Sequence, residues 1–202
     1  LIQRLFGFRI SARESQMKNN LRKFAKNNRS NITFDKKTKK LFNDNFYTCL
    51  DNILSDDKDI SIVGLYYPIL NEISPLEFVK YFQTNGIMIA LPVVNLDNQT
   101  MFFIKWDTKE KLKKGILGNM EPISTKNIVI PEILIVPMLL FDRQLYRLGY
   151  GGGYYDKAIS KLKKKFDKEE NKFISIGLAY SAQETISIPY ENHDERLDFI
   201  IT

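Results

Sequence analysis

Arg147-Leu148-Gly149-Tyr150-Gly151-Gly152-Gly153-Tyr154-Tyr155-Asp156 lies between an apolar run and an amphipathic one, and the chain is best read outward from it. Upstream, Ile133 to Phe141 (ILIVPMLLF) is apolar with Pro137 as its one break, the pattern of a strand buried on both faces of a parallel sheet. Downstream, Tyr155, Ile159, Leu162 and Phe166 recur at helical spacing, while Lys157, Lys161, Lys163, Lys164 and Lys165 cover the opposite face. The glycines therefore open a helix. Glycine admits positive φ and lets backbone N–H groups converge on an anion without a Cβ in the way. The helix dipole adds to that attraction. No Gly-Lys-Ser/Thr follows, so this is not a Walker loop, and Tyr154 occupies the third glycine position of the dinucleotide pattern. The loop alone leaves two readings open, a tight strand-to-helix turn and a phosphate cradle.

A chain of 202 residues is long enough for one well-buried domain. No apolar run approaches the roughly 20 residues of a membrane helix, so the expectation is a soluble protein with no membrane partner. Cys49 is the only cysteine and His193 the only histidine, which excludes an internal disulfide and argues against a zinc enzyme. Cys49 shares an apolar helical face with Phe42, Phe46 and Ile53 and reads as core. The net charge of +6 suits an anionic partner. Solvated lysine faces such as Lys36 to Lys40 explain much of it, and no nucleic-acid signature accompanies them.

Residues 1–16 carry Arg4, Arg9 and Arg13 with Glu14 as their only acid, a weakly presequence-like composition. Met17 is a plausible start, so these residues are set apart as an upstream extension and the domain is taken as 17–202. From Met17 a basic helix places Lys18 and Arg22 on one face. A loop is expected over Asn27 to Ile32, and an amphipathic helix over Lys37 to Leu54. Strands are expected at Ile60 to Tyr67, Ile87 to Val94, Met101 to Ile104, Phe173 to Tyr180 and Leu197 to Ile201. Ser74-Pro75-Leu76-Glu77 predicts a capping box for a helix reaching Asn85, and Asp107 a cap for a short lysine-rich helix ending near Gly115. Strands alternating with helices make a single α/β domain, a three-layer sandwich with a mostly parallel central sheet and helices on both faces.

In order along the chain stand Lys18 with Arg22, Tyr66-Tyr67-Pro68 through Glu72-Ile73, Leu91-Pro92, Glu121-Pro122, Phe141-Asp142 through Asp156, and His193-Asp194. This series resembles the 5-formyltetrahydrofolate cyclo-ligase (5,10-methenyltetrahydrofolate synthetase) family from Met17 to the end. One position departs from the family pattern, Leu145, which stands where a glycine is usual. Either the turn before Arg147 is altered, or that position never needed positive φ.

The resemblance implies an ATP- and Mg²⁺-dependent ligase that closes 5-formyltetrahydrofolate to 5,10-methenyltetrahydrofolate through a phosphorylated formyl group. It implies Lys18, Arg22 and Arg147 on the phosphates, with the loop Leu148, Gly149, Tyr150, Gly151, Gly152, Gly153, Tyr154 and Tyr155 around the nucleotide. Arg147, Tyr154 and Lys18 are the expected catalytic residues, and Tyr67, Glu72, Tyr150 and Tyr154 the expected folate contacts. Asp156 and Asp194 are expected to hold Mg²⁺, against the plainer readings of a helix-terminus carboxylate and an ordinary loop acid. His193 is expected to hydrogen-bond Asp194. The folate, with or without a polyglutamate tail, is the expected partner of a cytoplasmic monomer that binds no nucleic acid. Another ATP-using small-molecule kinase or ligase is the alternative, and a basic nucleic-acid-binding domain a more distant one.

Overall fold

The computed structural model describes residues 2–56 and 60–202, with side chains from residue 14 onward. Helices α1 (Ile2–Arg29) and α2 (Lys36–Asp56) precede strand β1 (Ile62–Gly64) and helix α3 (Val79–Thr84). Strands β2 (Met88–Asn95), β3 (Thr100–Lys105), β4 (Leu112–Lys114), β5 (Met120–Pro122), β6 (Ile128–Val129), β7 (Ile133–Pro137), β8 (Leu140–Phe141) and β9 (Arg147–Leu148) follow. Helix α4 (Tyr154–Lys168) and strands β10 (Ile174–Leu178) and β11 (Phe199–Ile201) complete the chain. No described helix is long and apolar enough to cross a membrane.

The central sheet runs β11-β10-β7-β1-β2-β3-β6, parallel from β11 through β2, with β3 and β6 antiparallel at one edge. Strand β7 explains the layering. Its Ile133 and Ile135 pack with Phe42, Phe46 and Leu50 of α2 and Phe82 of α3. Leu134 and Val136, pointing the other way, pack with Ala158, Ile159, Leu162 and Phe166 of α4. Alternation along a strand covered on both sides thus builds two apolar layers, the expected three-layer sandwich. Cys49 is half-buried against the α2 layer, and burial raises its thiol pKa. A third apolar cluster pins α1 across the β8–β9 hairpin through Ala25, Leu139, Leu140, Leu148 and Ile188.

Four local expectations fail for identifiable reasons. Helix α1 continues through Asn27 and Asn28 to Arg29, because Ala25 is seated in the hairpin cluster and Arg29 finds buried partners. The apolar run from Ile133 is not one strand: it breaks after Pro137, and β8 turns to pair with β9. Ser74 makes no capping bond, since Pro75 starts a 3₁₀ turn (Pro75–Phe78), and Glu77 pairs with Lys39 at 2.7 Å. Asp107 heads a turn rather than a helix, after which β4 pairs with β5.

Candidate active site

A cavity of about 570 Å³ opens at the C-terminal ends of the parallel strands, where open α/β sheets bind ligands. It gathers elements distant in sequence: α1, the segment after β1, the glycine loop, the start of α4 and the loop before β11. Lys18, Arg22, Tyr67, Glu72, Arg147, Asp156, Asp194 and every loop residue from Leu148 to Tyr155 line it. Leu148 offers the cavity its backbone, because its side chain is buried in the α1 cluster.

The glycine loop owes its shape to two residues of positive φ, Gly151 at 107° and Gly153 at 65°. Gly151 has a second constraint. A Cβ there would approach Cζ of Arg22 to 3.2 Å, so any side chain would push the guanidinium aside. Arg22 itself holds the loop, its Nε donating to the Gly149 carbonyl at 3.0 Å. Gly153 is the N-cap of α4 and supplies no side chain to its first N–H groups, which leaves them to the cavity. The Tyr154 ring lies over Gly152, within 2.6 Å of where a Cβ would stand.

The turn before Arg147 is built around Asp142, a buried carboxylate. Its Oδ1 accepts the N–H groups of Gln144 and Tyr146, and its Oδ2 that of Ile188. Leu145 adopts φ 68° in this turn, so the left-handed conformation is kept although leucine occupies it. The altered-turn expectation therefore fails, and the position does need positive φ. The Leu145 N–H donates to Asp142 O, and its carbonyl accepts from Leu197 N, both at 3.0 Å.

Two ion pairs stand in the cavity wall. The Arg147 side chain, 3% exposed, donates through Nη2 to Asp156 Oδ1 at 2.9 Å and through Nη1 to the Glu195 carbonyl at 3.0 Å. Asp156 Oδ1 also accepts the Glu195 N–H at 3.1 Å. Lys18 donates to Asp194 Oδ2 at 2.6 Å and to Glu191 Oε1 at 3.1 Å. Burial opposes the charge on Lys18, but hydrogen bonds and the charges of Asp194 and Glu191 outweigh it and raise its pKa above the ordinary lysine value. Burial likewise pushes Asp194 upward. There the hydrogen bonds from Lys18 and the Glu191 N–H, with the charges of Lys18 and His193, prevail and hold it below the usual carboxylate range.

The ligand atoms of Glu191, His193 and Asp194 lie within 4.8 Å of one another, so Glu191 joins the possible cation ligands. His193 does not fulfil its expected role: its Nε2 is 3.9 Å from Asp194 Oδ1, beyond a hydrogen bond, and its side chain is 70% exposed.

Glu72, also in the cavity wall, is held in a tight turn, its Oε2 accepting Ile69 N at 2.9 Å and its Oε1 the Tyr150 hydroxyl at 3.0 Å. Its side chain is 4% exposed, and Arg29 Nη1 lies 3.8 Å away. Burial raises the Glu72 pKa, against the Ile69 N–H, the Arg29 charge and the Tyr150 hydroxyl. Burial and the Glu72 charge push Tyr150 up to about 12. Arg29 and Glu191 belong to the site or its supports although the sequence did not single them out, and Asp142, quoted there only as a member of the motif series, supports the turn before Arg147.

A family model described as the 5-formyltetrahydrofolate cyclo-ligase family matches residues 14–202. The chain is similar to a 5-formyltetrahydrofolate cyclo-ligase of Haemophilus influenzae, 27% identical over 146 residues, 70% of this chain and 75% of that protein. It is similar also to one of Mycoplasma pneumoniae, 30% identical over 145 residues, 70% of this chain and 73% of that protein. A solved structure of a 5,10-methenyltetrahydrofolate synthetase from Mycoplasma pneumoniae superposes with a TM-score of 0.66 at 26% identity, covering 91% of this chain and 97% of that one.

Proposed function

The chain belongs to the 5-formyltetrahydrofolate cyclo-ligase family, and from that premise we propose that its cavity binds ATP beside 5-formyltetrahydrofolate and closes the folate ring to the 5,10-methenyl form, with release of ADP and phosphate. The observation that carries the reading is the convergence in one cavity of the glycine loop, three cations (Lys18, Arg22 and Arg147) and the Glu72 carboxylate.

The chemistry explains why such a site needs no protein nucleophile. A formamide oxygen leaves poorly as hydroxide. In the proposed sequence the formyl oxygen attacks the γ-phosphorus and the bridging P–O bond to ADP breaks, giving an iminophosphate. The neighbouring secondary amine of the folate then attacks the formyl carbon, and phosphate departs with the former formyl oxygen and takes up the amine proton. Both nucleophiles belong to the folate, so the protein supplies positioning and charge neutralisation.

The residues fit those demands. The loop N–H groups and the uncapped start of α4 suit phosphate oxygens, because the space beside Gly149 and Gly153 is open and the space beside Gly151 holds the Arg22 guanidinium, itself a phosphate partner. Lys18 and Arg147, both at the cavity wall, neutralise the phosphates, and Arg22 fixes the loop while presenting its own charge. Tyr154 covers the loop. Tyr67 and Glu72, in the same cavity wall, face the folate, where a carboxylate can accept two N–H groups of an amino-pyrimidinone edge. Asp156 and Asp194 would hold Mg²⁺, whose chemistry when bound is to neutralise phosphate charge as the phosphoryl group moves. The plainer role of partner to Arg147 or Lys18 is compatible with that function and separable from it by mutation.

The rival nucleic-acid reading loses ground on geometry: Lys18 and Arg147 are buried and paired inside a cavity, not arrayed along an open face. The deciding experiment mixes purified protein with 5-formyltetrahydrofolate and MgATP and follows methenyl-folate absorbance with ADP release. Folded protein that forms ADP only with another acceptor, or no methenyl product at all, rejects the proposal.

A further inference from the structure

Arg29 closes α1 beneath the cavity, with its side chain 3% exposed. Its Nη1 donates to the Met138 carbonyl at 3.3 Å and its Nη2 to the Tyr150 hydroxyl. Arginine is only a donor, so the Tyr150 oxygen must accept from it, and the Tyr150 proton is then free to point at Glu72 Oε1, 3.0 Å away. The three side chains form a directed relay, guanidinium to phenol to carboxylate, that starts in α1, passes through the glycine loop and ends after β1. With Ile69 N on its Oε2, Glu72 has one lone pair on each oxygen occupied by protein. The others are available to the cavity that it lines.

We propose that Arg29 is a positioning residue for folate selection: through Tyr150 it fixes the rotamer of Glu72 and keeps it a bare carboxylate, a double acceptor matched to a substrate edge that presents two N–H donors. The inference rests on the reading of Glu72 as the folate acceptor. Among the described residues Arg29 is the one cation whose charge acts on Glu72, and the next, Lys26, lies over the Tyr150 ring, 5.1 Å from its centre. The remaining titratable groups around it are Tyr66 at the end of β1, Tyr150 in the glycine loop and Tyr155 in α4, all neutral near pH 7. A Glu72 carboxyl that takes up a proton presents its own O–H to the substrate donors, and the match is lost. The relay also joins the glycine loop to the folate acceptor, since Tyr150 belongs to the loop and donates to Glu72.

The test compares Arg29→Gln, Arg29→Lys and Glu72→Gln with the wild type. Its readouts are equilibrium binding of 5-formyltetrahydrofolate without ATP, the two Michaelis constants, and the pH profile of kcat/KM for folate. Arg29→Gln can still donate to Met138 or Tyr150 but brings no charge. It should raise the folate Kd and KM about tenfold or more near pH 6.5, as expected when a polar match in a binding site is broken. The gap should narrow as pH rises and Glu72 ionises again, with KM for ATP and kcat at saturating folate within about twofold of wild type. Arg29→Lys restores charge without the planar fork and should fall between the two. If Arg29→Gln fails to fold, Arg29→Lys decides by the same readouts. Wild-type folate affinity with an unshifted pH profile overturns the inference, as does a parallel loss for ATP and folate, the sign of a loosened structure. Loss of folate affinity in Glu72→Gln but not in the Arg29 variants sinks the positioning role alone. Undiminished affinity in Glu72→Gln sinks the Glu72 reading and this inference with it.

Discussion

Replacing Asp156 with Asn separates its two roles, because Asn keeps the shape and loses the charge. Asp156 Oδ1 takes two bonds, from Arg147 Nη2 at 2.9 Å and Glu195 N at 3.1 Å, and Arg147 also reaches the Glu195 carbonyl. The ring so formed ties the start of α4 to β9 and to the loop before β11. Asn can still accept both bonds. What disappears is the charge assistance, the difference between about 1.5–3 kcal/mol for a bond to a charged group and about 0.5–1.5 for a neutral one. The helix-terminus term adds about 0.3–1 kcal/mol. A loss near 2 kcal/mol is expected, more than a free helix-terminus carboxylate would give. Asp156→Ala, which strands a buried guanidinium, should cost about 3–5 kcal/mol. Urea unfolding at constant m-value measures both.

Turnover reports the other role. If Asp156 also holds Mg²⁺, Asp156→Asn should lower turnover by about 10²-fold or more, on the scale of losing one electrostatic stabiliser. It should also move the Mg²⁺ midpoint upward and leave folate affinity within about twofold. Asp194→Asn should behave alike, and the double mutant should be little worse than either single one if the two share an ion. Folded Asp156→Asn with wild-type turnover and Mg²⁺ dependence refutes the metal role and leaves Asp156 as the partner of Arg147.

Three further outcomes follow from the same geometry. Asp142→Ala leaves three backbone N–H groups without their acceptor and should lose about 3 kcal/mol or more, whereas Asp142→Asn, which sets an amide NH₂ against one of them, should lose about 2, both by urea unfolding. Because Leu145 sits at φ 68°, Leu145→Gly should be more stable than Leu145→Ala by about 1 kcal/mol, the reverse of the usual order; an Ala variant that equals or exceeds Gly would mean the turn is not left-handed there. Glu72 and Asp194 should give opposite pH dependences of stability. The raised Glu72 contributes fully below its unfolded pKa near 4.5, and that contribution fades as pH rises through the folded value; the lowered Asp194 contributes above its unfolded pKa near 3.8 and fades as pH falls. Glu72→Gln should therefore gain on wild type between pH 4 and 7, while Asp194→Asn should lose least at the acid end, in unfolding series across that range.

The layered fold was legible because its signals are strong and redundant. Strand β7 reads as buried on both faces, and the neighbours of Ile133, Leu134, Ile135 and Val136 bear that out. The lysine stripe of α4 forces Ile159, Leu162 and Phe166 inward. Failures fall where a weak local preference meets a tertiary contact. Ser74 with Glu77 is a sound capping pattern, yet Pro75 opens a 3₁₀ turn and Lys39 claims Glu77. The lysines after Asp107 favour helix only slightly, and pairing of β4 with β5 overrides them.

In the site, the residues that were legible are those whose chemistry shows in one dimension: clustered glycines, cations four apart, and acids beside them. Arg29 was not, because Asn27-Asn28 looks like a helix stop and hides that Arg29 lies eleven residues after Lys18 and seven after Arg22. At 3.6 residues per turn those intervals bring all three cations to one face of α1. The helix persists through the asparagines because burying Ala25 and satisfying Arg29 together outweigh a propensity deficit of less than about 1 kcal/mol per asparagine. Pairing was hidden for a different reason. Lys18 with Asp194 and Arg147 with Asp156 are 176 and 9 residues apart, and only the packing of α1, the β8–β9 hairpin, the start of α4 and the loop before β11 around one cavity places each carboxylate against its cation. The interleaving matters, because a buried cation without its carboxylate would be strongly disfavoured until a phosphate arrived. Each acid expected to hold Mg²⁺ thus also keeps a cation expected to bind phosphate in place, and no sequence spacing encodes that double use.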